Sequence, residues 1–388
     1  MGKKNITKYP PLSKEKLEKY QDLWKNSTSR EGVHPDLKAH FERVKSMGGG
    51  QGIEFLSNLN KDYLGAFMAP FSRELENVDI AVIGMPFEKS APMNASHKYG
   101  PKALRELSKN FMGTTEPWIN GEFDIPFDFA NIIDYGTIDT YGQFDLSGEM
   151  EHAIEHFRKI VCDNHIVPFM WGGDHTVSVA PLTVLGETHG PLSVIHFDAH
   201  YDLVTEADFP YPYHSGNMFT QNFAKGNVDP ERMIQIGIRG RMTGLVGGHA
   251  KNFGTTVVFA DEARIMTPRE MADQIIEVVG DGPTYISLDL DCLDPVFNSA
   301  SSAVEPFGLD ANWVYDVLKL VRMSGKVNLV GADVVEYAPY NDPAKTFGYI
   351  AAGLSWKIIC WLAADVKRRN GGKNNPTVWD MALGNVTL

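Results

Sequence analysis

The chain has 388 residues, 43% of them hydrophobic, with 21 Phe, 14 Tyr and 7 Trp, which excludes intrinsic disorder and supplies a large core without staples. Thirty-six Lys and Arg against 49 Asp and Glu leave a net charge of −13, which speaks against nucleic acid and membrane surfaces and suits cationic substrates or metal ions. No run of eighteen apolar residues marks a membrane span, and three distant cysteines (Cys162, Cys292, Cys360) build no disulfide framework and point to a reducing cytoplasm.

Residues 1–76 read as a helical arm and 77–388 as the main domain. The opening Met-Gly-Lys-Lys-Asn runs into polar sequence, not an apolar signal core, and Ile6 stands where a lipidation motif needs Ser or Thr. Residues 1–48 carry eleven Lys and Arg and six Asp and Glu, a basic arm on an acidic body. Ser13 caps a first short helix with Leu17, Tyr20, Leu23 and Trp24 on one face. A second follows Asp36, with Leu37, Phe41 and Val44, and stops at Gly48-Gly49-Gly50. Helices this short need a surface to dock on, either their own body or a neighbouring subunit.

Beyond residue 77, short apolar runs alternate with helical patterns. The predicted strands are Ile80–Gly84, Ile132–Tyr135, Val167–Trp171, Leu192–Phe197, Met233–Ile238, Thr256–Phe259, Tyr285–Leu290 and Val327–Val334. Helices are predicted near 101–110, 148–163, 178–187, 267–279, 310–323 and 344–369. Nearly all-apolar strands separated by helices give a mainly parallel sheet covered on both faces, a three-layer α/β/α sandwich. Ligands of such sheets sit beyond the carboxyl ends of the strands.

Three strand ends carry unusual polar residues. Val167–Trp171 runs into Gly172-Gly173-Asp174-His175, and Leu192–Phe197 ends in Asp198-Ala199-His200-Tyr201-Asp202. Tyr285–Leu290 holds Asp289 and leads to Asp291, Asp294 and Pro295. Strand alternation is expected to put Asp198 and His200 on one side, and likewise Asp289 and Asp291. Four carboxylates converging on one sheet edge repel one another unless cations are present. Two imidazoles with four carboxylates suit paired Mn²⁺, or Ni²⁺, Co²⁺ or Fe²⁺, better than a structural zinc.

With these motifs, with Ile80-Ala-Val-Ile-Gly-Met-Pro-Phe87, Tyr99-Gly-Pro-Lys-Ala-Leu-Arg105 and Gly331-Ala-Asp-Val-Val-Glu336, the chain resembles the ureohydrolases: arginases, agmatinases, guanidinobutyrases and guanidine hydrolases. The resemblance spans roughly residues 78–365. It implies an arginase-like fold with a central eight-stranded sheet and a cytoplasmic hydrolase of linear amidine C–N bonds. It also implies two divalent ions per chain, Mn²⁺ or Ni²⁺. One ion falls to His175, Asp198, Asp202 and Asp289, the other to His200, Asp198, Asp289 and Asp291. Asp198 and Asp289 bridge. Glu336 matches the carboxylate that pairs with the guanidinium, and Asp202 is placed to move a proton to the leaving nitrogen. A homo-oligomer, trimer or hexamer, is expected, or a hetero-oligomer with a paralogous subunit.

Departures from the family pattern bear on the substrate. The usual His-Gly-Thr segment reads His214-Ser215-Gly216-Asn217, so His214 stands one place early for a proton shuttle. The loop Ala300–Gly308 carries Phe307 where agmatinases have glycine, and Val304 adds bulk. His97 lies in a segment more polar than usual. The loop 203–213 sets Glu206 and Asp208 among Phe209, Tyr211 and Tyr213, without Lys or Arg. Together His97, Glu206, Asp208, Tyr213, Asn217 and Phe307 suggest a narrow, acidic and aromatic pocket. That fits a small guanidino cation: guanidine, or a short alkyl-guanidine or biguanide such as metformin. Agmatinase or guanidinobutyrase is the nearest alternative. A metal-dependent deacetylase of related architecture is further off, and a non-catalytic subunit of this fold is the alternative of another class.

Overall fold

The apolar runs form one parallel sheet because most are buried on both faces and joined through helices. The computed structural model describes residues 13–26, 66–69, 71–89, 96–109, 130–139, 145–240 and 243–371, together with 116–117, 123–124 and 126. Its strands are β1 (Ile80–Gly84), β2 (Ile132–Thr137), β3 (Val167–Trp171), β4 (Leu192–Phe197), β5 (Val228–Ile238), β6 (Thr256–Phe259), β7 (Pro283–Asp289) and β8 (Asn328–Val335). They pair in the order β2-β1-β3-β8-β7-β4-β5-β6, every pair parallel. The expected eight-stranded sandwich is therefore observed.

The helices longer than one turn are α1 (Lys14–Asn26), α2 (Gly100–Ser108), α3 (Leu146–Val161), α4 (Val179–His189), α5 (Met218–Ala224), α6 (Thr243–Phe253), α7 (Pro268–Val279), α8 (Ala311–Ser324) and α9 (Thr346–Arg369) among the described residues. Alternation along the strands divides the core in two. Ile80, Val82, Phe169, Trp171, Ile195 and Phe197 pack with α7, α8 and α9. Ala81, Ile83, Met170 and Val194 pack with α3, α4 and α5. Local chemistry fixes the helix starts: Thr267 and Glu270 form a reciprocal capping box on α7, and Asp310 caps α8. By length and composition α9 suffices to cross a membrane, but 78% of its apolar stretch is buried, as a central core helix requires.

Two features differ from expectation. Helices α5 and α6 were not predicted. The first arm helix forms, yet Leu17, Tyr20 and Leu23 on it are 45–50% exposed, so its apolar face is not docked on the described body. The second arm helix and Met93–Ala95 lie outside the described residues.

One glycine turn sets the geometry of the site. Gly173 passes so close to the chain beyond β1 that a Cβ there would come within 1.8 Å of the Phe87 carbonyl. Only glycine allows this approach. Its neighbours are tied on both sides: Asp174 N donates to Phe87 O at 2.9 Å, and Glu336 N donates to Gly173 O at 2.9 Å. The end of β3 is thereby locked between the ends of β1 and β8.

Candidate functional site

The polar residues gather beyond the carboxyl ends of β3, β4, β7 and β8, four neighbouring strands at the centre of the sheet. They reach one another by a route other than strand alternation. β4 stops at Phe197 and β7 at Asp289, followed by a single 3-10 turn over Leu290–Cys292. Asp198 Oδ1 accepts the backbone N–H of His200 at 2.5 Å, and Asp289 Oδ1 accepts that of Asp291 at 2.8 Å. These carboxylate turns fold the chain off the strand. Asp291 Oδ1 takes the Ala199 N–H at 3.0 Å, which ties the two loops together.

What remains free converges. His175 Nδ1 lies 2.9 Å from Asp202 Oδ2 and 3.2 Å from both Asp198 Oδ2 and Asp289 Oδ2. His200 Nδ1 lies 3.1 Å from Asp291 Oδ2 and 3.4 Å from Asp198 Oδ1. Asp198 thus turns one oxygen to each group. Asp289 offers Oδ2 to the first, while its Oδ1 serves the Asp291 amide. Asp202 and Glu336 both hold left-handed backbone, φ +50° and +65°. Such conformations persist only where surroundings enforce them.

The tautomer of His175 tests whether these residues fit a metal. Ser287 Oγ donates to Asp333 Oδ1 at 2.8 Å, so toward His175 it can only accept, from Nε2–H, also at 2.8 Å. Nδ1 is then the nitrogen left to take up a cation, a proton or a metal ion; it is buried, without a hydrogen-bond partner, and faces three carboxylate oxygens. Ligand atoms about 2.1 Å from an ion and at right angles stand about 3 Å apart, the spacing found here. The group fits a divalent cation.

Electrostatics agree. Burial, then the charges of Asp291 and Asp198, push the Asp289 carboxyl well above the usual range. Burial and the Asp198 charge likewise raise Asp202. Burial with Asp198 raises Asp291 despite His200. Burial acts the same way on Asp198, but the three imidazoles of His196, His175 and His200 outweigh it and hold that group well below its usual range. Burial lowers both His175 and His200, and the surrounding carboxylates outweigh it and raise both. Carboxylates so crowded favour a cation in their midst.

His196 was missed by the sequence reading because it sits inside an apolar strand. Its Nε2 is 2.8 Å from Asp198 Oδ2. Gln235 Nε2, fixed as a donor by the Tyr201 carbonyl at 2.6 Å, lies 3.0 Å from His196 Nδ1. The His196 proton therefore sits on Nε2 and points at Asp198, which makes His196 a support for that carboxylate. Glu336 is buried beside the cluster: Oε1 accepts the His175 backbone N–H at 2.9 Å, and Oε2 lies 3.0 Å from His97 Nε2. His97, expected to line the pocket, is fully buried there.

The other expected pocket residues have different surroundings. Glu206 is exposed, and Asp208 accepts from Thr205 and lies 2.8 Å from His249 Nε2. Asn217 braces its own loop, accepting from His214 N and donating to Tyr211 O. Tyr213 is half-buried against the core on the α3 side. His214 Nδ1 accepts from Gly216 N at 3.1 Å, which leaves a buried Nε2 without a partner. Phe307 is 72% exposed: its carbonyl is held by Arg264, and the next amide, Gly308 N, by Asp294. A narrowed pocket does not follow from its ring.

The arginase family matches residues 78–360 of the chain. An agmatinase of Chromobacterium violaceum is 32% identical over 310 residues, covering 79% of this chain and 91% of that protein. The proclavaminate amidinohydrolase of Streptomyces clavuligerus is 34% identical over 291 residues, 75% of this chain and 90% of that one. The crystal structure of a hypothetical agmatinase from Burkholderia thailandensis superposes with a TM-score of 0.71 at 29% identity, over 81% of this chain and 94% of its own.

Proposed function

The chain belongs to the arginase family of metal-dependent hydrolases of amidino C–N bonds, and from that premise we propose that its substrate is a small guanidino cation without a carboxylate. Guanidine, or a short alkyl-guanidine or biguanide such as metformin, is the favoured class. The observation that carries this reading is the buried Glu336 carboxylate set directly beside the His and Asp cluster. A second support comes from the cations nearby. Lys89 is paired with the buried Glu149, and Arg239 is taken up by backbone carbonyls, so neither awaits a substrate carboxylate.

His175, Asp198, Asp202, Asp289, His200 and Asp291 would hold two divalent ions, Mn²⁺ or Ni²⁺, which would activate water near neutral pH. Glu336 receives the planar guanidinium by paired hydrogen bonds and aims its carbon at the cluster. The His175 backbone N–H fixes Oε1 of Glu336 for that task. Asp202, next to His175 and only partly buried, accepts a proton and returns it to the leaving nitrogen. The products are urea, or a substituted urea, and ammonia or an amine.

Agmatine is the second reading. It is favoured by the outward position of Phe307, which leaves room for a longer amine, and by the agmatinases among the relatives. The test is urea release by metal-loaded protein from guanidine, a dimethylated guanidine or biguanide, agmatine, guanidinobutyrate and arginine. The highest kcat/KM is expected for guanidine or its methylated forms. A preference for agmatine moves the assignment to the second reading, and a preference for arginine or guanidinobutyrate overturns both.

A further inference from the structure

A fully buried imidazole lies between two buried carboxylates beside the cluster. His97 Nε2 is 3.0 Å from Glu336 Oε2, and His97 Nδ1 is 3.7 Å from Glu88 Oε1. The same Glu88 oxygen accepts the His97 backbone N–H at 3.0 Å. The side chains of Glu88, His97 and Glu336 are 4%, 0% and 6% exposed. They come from three places in the chain: the loop after β1, the turn before α2 and the end of β8. The mechanism above uses only the last.

We infer that Glu88 is a positioning residue acting through His97. It holds His97 by the backbone N–H, stands close to the ring that faces Glu336, and supplies negative charge that lets a buried histidinium and a guanidinium share the site. The inference rests on Glu336 being the partner of the guanidinium. Buried charges are tolerated when neutralised nearby. Glu88 adds a second carboxylate to Glu336 around one imidazole and so keeps the balance there negative for an incoming cation. Without Glu88 that balance falls by one charge, and less offsets the like charge of the imidazolium that the guanidinium meets at Glu336. Burial pushes the His97 pKa down, but Glu336, Asp174 and Glu88 outweigh it and raise it, which supports a charged ring.

The consequence is specific to cations. Urea has the shape of the guanidinium but no charge, so Glu88 matters for substrate and not for urea. The test uses metal-loaded full-length protein and its best guanidino substrate, with urea as competitive inhibitor. Glu88→Gln is expected to raise KM about tenfold. Its kcat and the Ki of urea should stay within about twofold. The double variant Glu88→Gln/His97→Gln, which removes one charge of each sign, should recover most of that loss in KM. Unchanged KM in Glu88→Gln overturns the inference. So does a parallel loss in KM and urea Ki, or a double variant worse than the single, since both mark a merely structural role. Wild-type protein that makes no urea from any guanidino compound overturns instead the reading of the site on which the inference stands.

Discussion

The lone pair that His175 turns to the cluster is decided two hydrogen bonds away. Asp333 is wholly buried and accepts from three hydroxyls: Ser178 at 2.6 Å, Tyr285 at 2.7 Å and Ser287 at 2.8 Å. With its proton spent on Asp333, Ser287 can only accept from His175. Outer partners of this kind typically change metal affinity about 10- to 100-fold. Ser287→Ala is expected to weaken metal retention in that range, measured by competition with a chelator, and to leave the sheet folded because Asp333 keeps two donors. Unchanged affinity would show that the tautomer is set elsewhere. The six residues of the cluster were legible in the sequence because each interrupts an apolar pattern at a strand end. Their supports were not. Ser287, Asp333, His196 and Gln235 lie within strands, and they have partners on adjacent strands up to 48 residues away along the chain. Glu88 follows an apolar run and reads as a loop carboxylate until His97 is placed on it.

At the level of elements, the strands and the long helices follow hydrophobic period, and their predicted ends mostly fall within two residues of those observed. The misses have local causes. α6 contains Gly244, Gly247 and Gly248, which read as loop. α5 is seven residues long and gains its helix from packing Met218 and Phe219 into the core. β7 was expected to run to Leu290, but the Asp289 side chain captures the Asp291 amide and ends it. The arm poses the opposite case, a helix whose exposed apolar side chains meet no core among the described residues. Leu17, Tyr20 and Leu23 stand exposed on a basic segment of an acidic chain. We propose that this face docks on a second copy of the chain. Deletion of residues 1–48 is expected to shift sedimentation to smaller species, and an identical distribution with and without the arm would remove it from the interface.

On the scale of the molecule, the order β1-β3-β8-β7-β4 gathers Glu88, His175, Glu336, Asp289, Asp291, Asp198, His200 and Asp202 from distant stretches of chain at one edge. No single segment holds the site; the parallel crossovers assemble it. The clustering of these polar residues could be read before the fold was known, because the conjunction of three polar strand ends is rare. The pocket around it could not. Loop residues such as Phe307 and Asp208 are directed by contacts with Arg264, Asp294 and Thr205 that no periodicity encodes. The central claim is that two ions in this cluster make one hydrolytic centre for guanidinium. The most direct measurement adds Mn²⁺ or Ni²⁺ stepwise to metal-stripped, full-length protein, following bound ions per chain and urea release together. Activity is expected to rise with the second ion and to level off at two per chain. Full urea release at one ion or fewer per chain would contradict the account.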